Sequence, residues 1–237
     1  MLTNIVRIVV PDIYSTLQIS KTRLKPMHNF EAFQNQYATK YSDSIIKDGI
    51  INRDLYDSEN PKILFICKEH NQMADTVLNG DYKIWWNEGL KYRFAHRISE
   101  WAYGIANDFP PIETIDDKKK KLSLKSIAFL NVKKIAGTSQ SDYKDLKEII
   151  EWSKSLIIDQ VTEINPDIII CSLGYSDLVK DLFSAPTYIN SGHDINYFIW
   201  NNKIVIDFYH PSIRWSRSAT YYILKNVIQS VYQRNVT

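Results

Sequence analysis

Short, continuous apolar runs recur along this chain, separated by longer stretches with helical spacing. Ile63-Leu64-Phe65-Ile66-Cys67 is apolar throughout, the pattern of a strand buried on both faces of a parallel sheet. Ser126-Ile127-Ala128-Phe129-Leu130-Asn131 repeats the pattern and ends in an amide. Asp167-Ile168-Ile169-Ile170-Cys171-Ser172 follows, and then Tyr197–Trp200 and Lys203–Phe208 flank Asn201-Asn202, the signature of a hairpin or of an edge strand leading into a central one. Between these runs the apolar spacing turns helical. Phe30, Phe33, Tyr37 and Tyr41 predict a helix from about Asn29 to Ile46, and Phe94, Ile98, Trp101 and Ile105 predict one over Tyr92–Ile105. Leu146, Ile149, Ile150, Leu156, Ile157 and Val161 predict a long helix from Asp145 to Ile164, stopped by Asn165-Pro166. Further helices are expected near Asp177–Phe183 and over Ser218–Gln233.

Strands alternating with helices imply an α/β protein: a three-layer α/β/α sandwich around a mainly parallel sheet of four to five strands. The 237 residues fit one domain, 1–237, in which 1–60 form a helical N-terminal extension packed on the rest.

Composition narrows the function without naming it. Hydrophobic residues make up 44% and charged residues 24%, as in ordinary globular proteins. The formal charge of +2 gives no global basic field, so any nucleic-acid contact has to rest on a local rim. Lys118-Lys119-Lys120-Lys121 reads as a solvated loop. Fifteen Tyr and six Trp supply either an aromatic core or surfaces for stacking on bases. Cys67 and Cys171 both fall in apolar strand patterns, which points to buried reduced thiols and a cytoplasmic setting. No C-x-x-C pair or tight His/Cys cluster suggests a metal, and no Gly-rich phosphate loop suggests a nucleotide cofactor, so none is expected. No stretch approaches the length of a bilayer span, and a monomer without membrane contact is expected.

The chemistry gathers where strands end. Lys68-Glu69-His70-Asn71 follows the first apolar run, and His210-Pro211-Ser212 follows Ile204-Val205-Ile206-Asp207-Phe208-Tyr209. In open α/β sheets, ligands bind outside the carboxyl ends of the strands. Singly, each residue has a plain explanation. Glu69 can be a surface acid, His210-Pro211 a structural turn, and Asn131 a helix cap. Together they place a carboxylate, an imidazole and an amide along one edge of the sheet.

From about Pro61 to the C-terminus, this ordered set resembles the uracil-DNA glycosylase superfamily. Cys67-Lys68-Glu69-His70-Asn71 stands where the family's first motif lies, though without its Gly and Pro, and Glu69 falls on the catalytic acid or amide. Phe129-Leu130-Asn131 is similar to the strand-then-Asn segment that reads the base. Asn165-Pro166-Asp167 through Gly174 resembles another shared segment, and His210-Pro211-Ser212-Ile213-Arg214-Trp215 resembles the closing motif and wedge loop. The resemblance implies catalytic roles for Glu69 and His210. The carboxylate would stabilise an oxocarbenium-like sugar or orient water, and the imidazole would stabilise charge on the departing base. It further implies base contacts from Asn131 and Asn71, and DNA contacts from Lys68, Ser212, Ile213, Arg214, Trp215 and Arg217. Trp85 and Trp86 are the candidates for stacking on the base, with core packing as their plain alternative.

The implied reaction is hydrolysis of the N-glycosidic bond of a flipped-out base in DNA by a monofunctional enzyme, leaving an abasic site. Asn71 stands where the uracil-specific branch carries a blocking Tyr. A 5-modified pyrimidine, such as the hypermodified cytosine of phage DNA, is therefore expected ahead of uracil. The resemblance extends to glycosylases of bacterial antiviral defence. Two alternatives stay open: a catalytically inactive nucleic-acid-binding member of the fold, and an N-glycoside hydrolase of free nucleosides or nucleotides.

Overall fold

The computed structural model describes residues 35–37, 39–40, 45–71, 80–137, 141–185 and 187–235. In chain order the elements begin with β1 (Gly49–Ile50), α1 (Arg53–Ser58), β2 (Ile63–Cys67), β3 (His70–Asn71), α2 (Tyr82–Glu88) and α3 (Arg93–Ala106). A 3-10 turn (Ile112–Thr114), α4 (Asp117–Lys125), β4 (Ala128–Asn131), β5 (Ala136–Gly137) and α5 (Tyr143–Ile164) follow. The chain continues through β6 (Ile168–Cys171), α6 (Ser176–Phe183), β7 (Ile189–Asn190), β8 (Asn196–Trp200), β9 (Lys203–Asp207) and α7 (Arg217–Asn235).

The central sheet has seven strands in the order β1-β4-β2-β6-β9-β8-β7, more than the sequence pattern predicts. The added members are the two-residue strands β1 and β7, which, like the expected β8, run antiparallel to their neighbours. Runs of two residues carry no periodicity, so tertiary pairing alone reveals them. The parallel heart is β4-β2-β6-β9. Its residues alternate between two cores. Phe65, Phe129, Ile170 and Ile206 face α2, α3, α4 and α7. Leu64, Leu130, Ile169 and Val205 face α5 and α6. Burial on both faces explains why these strands read as unbroken apolar runs. The architecture is a three-layer α/β/α sandwich.

Local chemistry sets the boundaries. Asp142 caps α5 by accepting from the Asp145 backbone N–H, and Asn165 ends it in the left-handed region ahead of Pro166. Asn201 and Asn202 both take positive φ, 48° and 61°, as a tight hairpin turn between β8 and β9 demands. The lysine run corrects one expectation. Lys118–Lys121 lies inside α4, because Asp116 caps that helix through the Lys119 N–H while Asp117 and Lys125 complement its two ends. Lys120 is drawn inward to Glu100, 3.1 Å away. The expected helix over 29–46 is seen only at 35–37 and 39–40, and residues 45 and 46 are already outside it. Phe30, Phe33 and Tyr41 lie outside the described residues, as does most of the 1–60 extension. No helix among the described residues is long and apolar enough to cross a membrane.

Candidate functional site

The order β4-β2-β6-β9 contains a change of direction. The chain runs from β2 outward to β4, then returns past β2 to β6 and on to β9. The switch therefore falls between β2 and β6, where crossover loops leave in opposite directions and a crevice opens. Lys68 follows β2 on one side of that gap and Ser172-Leu173-Gly174 follows β6 on the other. Gly174 has φ +72°, and a Cβ placed there would lie 3.3 Å from Lys68 Nζ, so both backbone and space favour glycine.

A cleft of about 470 Å³ opens at this edge, walled by Lys68, Gly174, Asp194, Asp207, His210 and Ser212 among others. His210 is held by the turn it begins, with the Ile213 N–H donating to its carbonyl at 2.9 Å. The Ser212 N–H donates to its Nδ1 at 3.2 Å. By that hydrogen bond a neutral ring carries its proton on Nε2. Burial, helped by the nearby Lys68 charge, lowers the His210 pKa to about 4, so the ring is neutral at physiological pH. Lys68 lies over the Tyr175 ring, 5.2 Å from its centroid, and burial lowers its pKa as well.

Two residues absent from the sequence-level candidates complete this edge. Arg97, buried on α3, donates to the carbonyls of Ile213 and Trp215, both at 3.0 Å, and so pins the loop after His210. Its signal in the sequence is an arginine one position before Ile98 on a largely apolar helix. Asp207 ends β9. Its Oδ2 accepts from Ser176 Oγ at 2.5 Å and from Tyr188 OH at 3.2 Å. Burial raises the Asp207 pKa against these two donors. A carboxylate inside an otherwise apolar strand run was its sequence signal.

A second cluster sits beside the first, over the ends of β2 and β4. Asn131 is buried, its backbone N–H donating to Asp48 Oδ2 at 2.8 Å. Asp48 is ion-paired with the fully buried Lys134 at 2.7 Å. The Asn131 side chain donates from Nδ2 to Tyr82 OH at 3.3 Å, and Tyr82 OH lies 3.0 Å from His70 Nδ1. Asn131 Oδ1 is buried and has no hydrogen-bond partner among the described residues. Glu69 is also here, away from the cleft walls. Lys133 Nζ lies 2.8 Å from its Oε2 and also bonds Asp145 at 2.6 Å. Two carboxylates around Lys133 hold its pKa above the ordinary value despite burial. Gly137 packs on Glu69 so closely that a Cβ there would fall 2.1 Å from the carboxyl carbon.

The rings of Phe94, Phe129 and Tyr82 join the two clusters. Phe94 lies 5.7 Å from His210 and 5.8 Å from Phe129, which in turn lies 4.4 Å from Tyr82. Trp85 stacks on the His70 ring at 4.5 Å. Trp86 does not serve as a stacking surface: it is 5% exposed and packs against Tyr82 and Phe129 in the core. Asn71 is exposed and pairs with Gly137 in the small β3-β5 sheet. In the loop after His210, Arg214 is exposed, and Trp215 is 49% exposed with its ring 4.7 Å from Tyr209. Arg217 keeps an exposed side chain while pairing with Glu100, its Nε 2.8 Å away, and its guanidinium donates to the Ile112 carbonyl at 3.1 Å. Lys68, His210, Ser212 and Ile213 thus share one cleft, while Glu69, His70 and Asn131 belong to the adjoining cluster.

Among the described residues, no group of three or more His, Cys, Asp or Glu side chains is placed to hold a metal ion. Compared with known proteins, the chain matches no family model and no curated protein sequence.

Proposed function

We propose that the protein is a DNA glycosylase: it hydrolyses the N-glycosidic bond of a base flipped out of DNA and leaves an abasic site. The observation that carries this reading is His210, a neutral imidazole with its proton on Nε2, set at the carboxyl edge of a parallel sheet beside a lysine. Breaking the bond to a base sends an electron pair onto the ring. A preorganised N–H donor in a desolvated cleft stabilises that charge without giving its proton away. The low pKa suits this role, because a neutral imidazole remains a fixed donor across the physiological range.

The surroundings supply the remaining parts. In the adjoining cluster, outside the cleft lining, Asn131 keeps a buried acceptor, Oδ1, with its amide bonded to Tyr82, the kind of group that reads the N–H edge of a base. Lys68 contributes positive charge where negative charge develops. The loop pinned by Arg97 presents Ile213 and Trp215 as apolar wedges and Arg214 as a phosphate contact. Where the uracil-specific branch of the resembled family carries its Tyr this chain has Asn71, so a 5-modified pyrimidine is the preferred base ahead of uracil.

A base-release assay tests the reading. The purified protein is incubated with DNA containing uracil, 5-hydroxymethylcytosine or glucosylated cytosine, and alkali-labile sites are scored. Abasic sites on one of these, lost in His210→Ala, are expected. Intact DNA throughout, with DNA binding retained, would overturn the enzymatic reading in favour of a binding module.

A further inference from the structure

Two carboxylates stand at the ends of neighbouring regions of this sheet, and their environments differ in a way that assigns the hydrolytic step. We propose, on the basis of the glycosylase reading above, that Asp207 is the carboxylate that takes the proton of the attacking water. Glu69 instead serves as a positioning residue.

The argument is geometric. Asp207 and His210 wall the same cleft, separated by Phe208 and Tyr209 on one continuous segment leaving β9, so the two groups face a shared ligand space. Glu69 does not border that space. It is 4% exposed, held by Lys133 and closed over by Gly137. A base must also be oriented without being neutralised. Both donors to Asp207, Ser176 Oγ and Tyr188 OH, converge on Oδ2, which leaves Oδ1 as the acceptor for a further donor. Neither donor carries a charge, and burial raises the Asp207 pKa against them, whereas Glu69 is engaged by an ammonium. The other charged and titratable groups acting on Asp207 are Lys180 and Asp177 from α6 and the Cys171 thiol from β6. Lys68 and Asp194 share the cleft with it.

The step balances with water alone. The bond between C1′ and the base nitrogen breaks, and its electron pair leaves with the base, towards the His210 Nε2–H. A water oxygen forms the new bond to C1′, and one water proton passes to Asp207. The proton then returns to the departed base or to solvent, so no oxidant, reductant or further reactant enters.

Asp207→Asn is a direct probe because the two donors anchor an oxygen. The amide oxygen takes the place of Oδ2, and the NH2 group, which accepts no proton, replaces Oδ1. Single-turnover base release is compared for wild type, Asp207→Asn, Glu69→Gln and Tyr188→Phe from pH 4 to 9, with DNA binding followed by anisotropy and folding by circular dichroism. Asp207→Asn is expected to lose about 10²–10⁴-fold in rate with DNA binding kept, and to lose at least about tenfold more than Glu69→Gln. Tyr188→Phe removes a donor that lowers the Asp207 pKa, so the acid limb of its rate profile moves to higher pH. The reverse ranking of the Asp207 and Glu69 variants would overturn the assignment while leaving the glycosylase standing. If Asp207→Asn does not fold, an acid limb unmoved in Tyr188→Phe would overturn it equally. Absence of release by wild type on every DNA tested would remove the glycosylase reading and this assignment together.

Discussion

Glu69 and Asp207 are both carboxylates at the carboxyl edge of the same sheet, yet they are held in opposite ways. Glu69 sits against an ammonium, under a glycine, with 4% of its side chain exposed. Asp207 sits against two hydroxyls on the wall of an open cleft. A charge-assisted hydrogen bond from a buried ammonium fixes a carboxylate in one position. The two hydroxyls hold Asp207 in position and lower its pKa, but burial outweighs them and raises it. The same contrast runs through the two clusters. Around Asn131, Asp48 is paired with Lys134 and Glu69 with Lys133, while the groups lining the cleft with His210 include Asp207, held by two hydroxyls. An ion-paired carboxylate and a hydroxyl-held carboxylate thus stand in adjoining regions of one edge.

The largest expected effect breaks the frozen half. Lys133→Met leaves Glu69 buried without its cation and is expected to cost about 3–5 kcal/mol of stability, read from urea unfolding. Asp207→Asn keeps its two hydrogen bonds and is expected to cost about 1 kcal/mol or less in the same experiment. Equal losses would erase the distinction. Next in size, His210→Ala is expected to slow base release by about 10²–10³-fold, the usual worth of one preorganised donor, with little change in stability at pH 7.5.

Acidification sharpens the comparison further. His210 binds a proton at about 4 in the folded state and at its ordinary 6.5 when unfolded. Between these values the unfolded chain takes up a proton that the folded chain does not. Stability therefore falls as the pH drops from 6.5 towards 4, by at most about 1.4 kcal/mol per pH unit from this group. His210→Asn is expected to flatten that part of a urea midpoint-versus-pH curve, and an unchanged slope would show that the ring titrates normally. Gly137→Ala comes next. The added Cβ displaces the Glu69 carboxylate and weakens its pairing with Lys133, and the loss is expected to be smaller than that of Lys133→Met in the same unfolding assay. The smallest effect is expected from Lys121→Gln on exposed α4, within about 0.5 kcal/mol of wild type and with unchanged DNA affinity.

Several features of the fold were legible in the residues themselves. The runs at 63–67, 128–131 and 168–171 read as buried strands because the sheet is covered on both faces and each is apolar at nearly every position, and 203–207 reads as a strand through its central Ile204-Val205-Ile206. Asn165-Pro166 and Asn201-Asn202 had to be a helix stop and a tight turn, because so few residues accept those backbone angles. The lysine run misled, since its helix is set by the Asp116 cap and the packing of Lys120 on Glu100 rather than by apolar spacing.

For the site, the sequence by itself determined which groups reach the carboxyl edge, since a residue following a parallel strand has nowhere else to go: Lys68, Glu69, Asn131 and His210 are all there. It did not determine which of them share a space. Lys133, Gly137, Ser176 and Tyr188 lie far along the chain from the carboxylates they hold, and Arg97 from the loop it pins. Strand order and helix packing bring those partners in, and partners decide charge state and exposure. That is why Glu69 and Asp207, both carboxylates at strand ends, became an ion pair and a cleft carboxylate only in three dimensions.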